Sequence, residues 1–112
     1  MLRALCLALL LVFPGHLALA EKVYEGSEAA ALRCANTLAL TAVALNSAGL
    51  IPEEQKEAML GVTVLILERH VSGTWAEKKR ALAVMRDRRS PADTLEDYRR
   101  IAVKCLRQFP IN

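Results

Sequence analysis

Histidine is scarce in this 112-residue chain, and spacings that would support catalysis are scarcer still. Only His70 stands beyond residue 20, and Glu68, two positions away, falls on a different helix face. No Ser-His-Asp or Cys-His arrangement can be assembled, so triad-type nucleophilic chemistry lacks its parts. There is no Cys-x-x-Cys pair, and one histidine cannot complete the roughly four ligands of a zinc site. Haem-attachment, phosphate-loop and dinucleotide fingerprints are also missing. The sequence therefore gives no reason to expect a catalytic residue, a metal or a cofactor. Glu53, Glu54 and Glu57 read as acids at the positive end of a helix dipole. Aromatics make up only 4% of the chain, with five glycines, four prolines and no long charge run, which argues against disorder and collagen-like classes.

Apolar residues, at 54%, are plentiful, and the first of them form a recognisable leader. Arg3 precedes an apolar run over residues 5–13, Pro14-Gly15 break it, and Ala18-Leu19-Ala20 is the small-x-small pattern that a signal peptidase cleaves. The run is about half of the roughly 20 residues that cross a bilayer, and polar Glu21-Lys22 follow at once. Residues 1–20 are expected to be a cleaved secretory signal, and residues 21–112 one domain, periplasmic or secreted, with no transmembrane span. A domain of that size buries only roughly 60–65% of its unfolded surface. In an oxidising compartment the two remaining cysteines, Cys34 and Cys105, read as a disulfide, with buried thiols or an intermolecular link as the alternatives.

Helix ends are legible. Ser27 offers an N-cap, and nothing breaks the Ala- and Leu-rich stretch until Gly49, which gives a helix over about 28–48. Pro52, Glu53 and Glu54 start a second, over about 52–72, with Gly73 as its left-handed cap. The β-branched centre of that segment could be a strand, but its length and caps favour helix. Thr74 and Glu77 form a capping box opening a third helix over about 75–89. Ser90-Pro91 ends it and starts a fourth over about 91–108. Short connections predict an all-α, antiparallel, up-down-up-down four-helix bundle stapled by Cys34 and Cys105. The first two helices are apolar nearly all round, so either the second is central or a homodimer buries them.

Charge is divided unevenly. Residues 78–107 hold ten basic and four acidic side chains, whereas residues 21–77 hold four basic and eight acidic. Arg86, Arg88, Arg89, Arg99, Arg100 and Arg107 are the candidate interaction surface, and long basic stems lying over apolar surface with their charges in water are the alternative. Nucleic acid is disfavoured by the export signal and by the lack of aromatics among these residues. A leader, a short helical domain and one disulfide form an outline shared by periplasmic acid chaperones and toxin-neutralising immunity proteins, though no motif transfers a residue's role. The expected function is a non-enzymatic module that binds an acidic envelope or secreted protein. The alternative is a surface-active protein that lays its basic helices on anionic lipid or polymer.

Overall fold

The computed structural model describes residues 22–112, and the leader expected at residues 1–20 lies outside them. Four helices and no strand make up the described chain: α1 (Gly26–Ser47), α2 (Glu53–His70), α3 (Trp75–Asp87) and α4 (Pro91–Gln108). The stretch weighed as a strand is helical, as its length and flanking caps required. Cys34 of α1 and Cys105 of α4 form a disulfide with their Cα atoms 5.6 Å apart.

Helix α1 is the hub. It packs against each of the other three helices, which make little contact with one another. This overturns the alternative in which α2 is central, and it leaves α3 and α4 less intimately paired than their short connection implied. The cause is side-chain size: Ala31, Ala35 and Ala42 are buried on one face of α1 and Cys34, Thr37 and Thr41 on the adjoining one, so small residues let neighbours approach closely on more than one side. Ile66 and Leu67 of α2 fill the space beside α1, and burying such side chains contributes about 1.5–3 kcal/mol each. By length and hydropathy α1 could cross a bilayer, but half of the relevant stretch is buried among the other helices, as a core helix requires. The outer face of α2 stays open, with Val64 exposed and nothing close to Gly61.

The helix ends differ from expectation where tertiary contacts prevail over local ones. Ser27 does not cap α1; the N-cap is Glu25, without a side-chain bond. That end is anchored instead by the Glu28 carboxylate, which accepts from the Ser72 backbone amide at 3.3 Å and hydroxyl at 3.1 Å. At the other end Gly49 is left-handed, and the Leu50 amide reaches back to the Leu45 carbonyl, the Schellman arrangement. Pro52 is the N-cap of α2 rather than its first helical residue. Helix α2 ends at His70, short of Ser72, because Val71 turns extended and buries its side chain. Lys78 follows that end: its Nζ donates to the Leu67 carbonyl at 2.9 Å, and the residue is buried. Lys78 is thus withdrawn from the basic surface and serves as a cap. Helix α3 stops at Asp87, leaving Arg89 outside the helix.

Candidate functional site

Gly73 fixes the geometry from which the site is built. Its φ of +96° is left-handed, and a Cβ there would lie 2.9 Å from the Tyr24 hydroxyl, so the turn between α2 and α3 requires glycine. Into this turn docks the segment preceding α1. Tyr24 Oη donates to the Ser72 carbonyl at 2.8 Å, and Lys22 Nζ donates to Ser72 Oγ at 2.8 Å. Partial burial, reinforced by the nearby Glu77 and Glu28 carboxylates, raises the Tyr24 phenol above its ordinary pKa.

The capping box then orients α3. Glu77 N donates to Thr74 Oγ1 at 3.1 Å, and Thr74 N donates to Glu77 Oε1 at 2.8 Å. Hydrogen bonds from the Thr74 amide, then from its hydroxyl, hold the Glu77 carboxyl below the usual range, and the nearby Lys22 ammonium adds to this. With that start fixed, Arg80, Val84 and Arg88 recur at four-residue spacing along one face, beside Ala81 and Met85.

Between this face, the segment at residues 22–24 and the start of α1 lies a groove of about 780 Å³. Leu32, Ala81, Val84 and Met85 give it an apolar floor, and Arg33, Arg80, Arg88 and Arg89 line it together with Lys22. Among the described residues Glu77 is the one acid on its walls. Among the described residues no carboxylate lies within ion-pair distance of Arg33, Arg80 or Arg88. The groove thus carries uncompensated positive charge over an apolar base, fit for an anionic group attached to an apolar body.

The six arginines singled out in the sequence are divided by the fold. Arg88 and Arg89 line the groove, whereas Arg86 lies 3.5 Å from the Asp87 carboxylate and lines a smaller pocket. Arg99, Arg100 and Arg107 are exposed on α4, and none lines the groove. Arg100 contacts Asp97 at 3.1 Å. Arg33, Arg80 and Lys22 belong to the site but were not singled out by sequence reasoning. The one available signal was that Arg33 is the sole charge between Glu28 and Glu53.

His70 lies elsewhere. Its Nε2 donates to the Pro110 carbonyl at 2.8 Å, and its ring meets Phe109 edge-on at 5.3 Å, tying the C-terminal tail to α2. Among the described residues no cluster of three His, Cys, Asp or Glu side chains could hold a metal ion. No protein-family model, curated protein or solved structure matches the chain.

Proposed function

We propose that the protein is a non-enzymatic binding module acting outside the cytoplasm, and that the groove between α1 and α3 receives an acidic, partly apolar segment of another exported or envelope protein. The observation that carries this is the set of Arg33, Arg80 and Arg88, without carboxylate partners among the described residues, around the floor of Leu32, Val84 and Met85. Guanidinium groups grip carboxylates through paired N–H bonds, and the apolar floor rewards a segment that interleaves acids with aliphatic side chains. A chaperone-like or inhibitory role follows from such capture. The disulfide supports the oxidising location, and the leader pattern at residues 1–20 supports export.

An antiparallel, up-down-up-down course of the helices belongs to the same reading. It is supported by the Cys34–Cys105 link between the first half of α1 and the end of α4, and by Leu40 and Val43 sharing a pocket with Pro91 and Leu95.

A second reading places anionic lipid or polymer on α4, where exposed Val103 and Leu106 adjoin Arg99, Lys104 and Arg107. A homodimer could form only on what the core leaves uncovered, chiefly Val43, Leu50 and Val64. Fluorescence anisotropy with a labelled peptide of alternating Glu and Leu, its Gln analogue, and vesicles of anionic phospholipid separates the first two readings. Saturable binding of the acidic peptide, weaker for the Gln analogue and persisting in part at moderate salt, is the expected result. Binding to vesicles alone, abolished by salt, would replace the groove with α4.

A further inference from the structure

We infer, on the strength of the groove between α1 and α3 being the binding site, that it takes its acidic segment as an extended strand, with residues 22–24 lying alongside. Size is the first reason. The groove follows α3 from Ala76 to Arg88, about 18 Å at a rise of 1.5 Å per residue. Spread over that length, 780 Å³ gives a mean cross-section of about 40 Å². A strand occupies about 50 Å², from a spacing of roughly 4.8 Å to its neighbours in a sheet and roughly 10 Å between stacked faces. A helix, roughly 10–12 Å across, occupies about 80–110 Å². An extended segment of about five or six residues therefore fills the groove, whereas a helix would stand largely outside it.

The chain at residues 22–24 is the second reason. Lys22 and Tyr24 both bond to Ser72 through their side chains, while Val23 between them is 76% exposed. Alternate side chains on opposite sides mark an extended backbone, and Glu25 continues it with φ of −132° and ψ of 164°. Among the described residues the main-chain amides and carbonyls of Lys22, Val23 and Tyr24 make no hydrogen bond. This stretch lines the groove at the end where α1 and α3 begin. Held by its side chains and open along its main chain, it is a template for an added strand.

Strand geometry also sorts the two kinds of side chain that the groove selects. Successive residues of a strand face opposite ways, so alternation puts the acids toward Arg33, Arg80 and Arg88 and the aliphatic groups on Leu32, Val84 and Met85. Arg80 and Arg88 lie about 12 Å apart along α3, close to the roughly 13 Å between residues i and i+4 of a strand. The segment so defined reads acid, aliphatic, acid, aliphatic, acid. Its sources are stretches of an exported chain that have not yet folded, and sheet edges left uncovered.

Two labelled peptides of identical composition, titrated with the oxidised protein, test this. One alternates Glu and Leu, and the other has the same residues reordered to the helical i, i+3, i+4, i+7 pattern. The alternating peptide is expected to bind more tightly by about tenfold or more. In its transferred NOE spectrum, contacts from each α proton to the following amide proton should outweigh those between successive amide protons. N-methylation of all the Leu or of all the Glu residues blocks one edge of a strand or the other. It should weaken binding by about tenfold in one case and little in the other. Equal or tighter binding of the helical isomer, or equal losses from the two methylations, would overturn the extended form. If the isomer binds and Arg33→Gln/Arg80→Gln/Arg88→Gln abolishes that binding, the groove stands as the site and only the strand is lost. Binding of neither peptide would remove the groove as well.

Discussion

Arg89 and Asp97 approach to 2.7 Å across the α3–α4 turn, and the Asp97 side chain is only 6% exposed. The contact is charge against charge: Asp97 Oδ2 accepts no well-aligned hydrogen bond, while Oδ1 accepts from Arg100 at 3.1 Å. Asp97 therefore joins two arginines of the candidate interaction surface, Arg89 and Arg100. Because α3 stops at Asp87, Arg89 lies outside the helix and reaches Asp97 of the next one.

Replacing Asp97 by alanine should strand two guanidinium groups, one of them partly buried, and cost about 1–3 kcal/mol. For a domain of this size each kcal/mol lowers the melting temperature by roughly 4–8 °C. Thermal melts of Asp97→Ala, Arg89→Gln and Arg100→Gln should rank in that order of damage, because the Arg100 side chain is 63% exposed and its bond competes with water.

Features that depend on near neighbours in the chain were legible in the sequence. The capping boxes at Thr74/Glu77 and Ser90/Asp93 each involve residues three positions apart, and both are formed. The helical character of α2 and the pairing of Cys34 with Cys105 were also readable. The choice of central helix was not, because α1 and α2 are both apolar and only the distribution of small side chains around α1 decides it. Gly61 of α2 faces open space, so that helix offers no close approach there. The site was half legible for the same reason. Local charge density revealed Arg88 and Arg89 but passed over Arg33, which tertiary packing carries to α3. It also overvalued Lys78, whose charge is spent on a carbonyl of α2.

The disulfide closes a loop with a sequence separation of 71, which on the loop-entropy model contributes on the order of 4 kcal/mol. Alkylation of the native protein without reductant should label neither Cys34 nor Cys105. After reduction the melting temperature should fall, and the double substitution to alanine should reproduce that loss.

Acid should loosen the starts of α3 and α4 together. Glu77 is held below its ordinary pKa by Thr74, and Asp93 by the Ser90 hydroxyl and then the Ser90 amide. Each carboxyl binds its proton less readily folded than unfolded, so its contribution is fully present above the unfolded values of about 4.3 and 3.9 and disappears as pH falls through the lower, folded ones. Melting temperature followed from neutral pH downward should stay level until about pH 4 and then decline. A Thr74→Val, Ser90→Ala double variant should start lower and decline less over the same range.

Whether the arginines of the groove or those of α4 hold the partner is decided by one comparison. Binding of the labelled Glu-Leu peptide is measured by anisotropy for Arg33→Gln/Arg80→Gln/Arg88→Gln and for Arg99→Gln/Lys104→Gln/Arg107→Gln, with helix content checked by circular dichroism. Both variants remove three positive charges, so nonspecific attraction falls alike in the two. Loss of affinity by about tenfold or more in the groove variant, with little change in the α4 variant, is the predicted result. Equal losses in both, or a loss confined to the α4 variant, would contradict the assignment of the groove as the binding site.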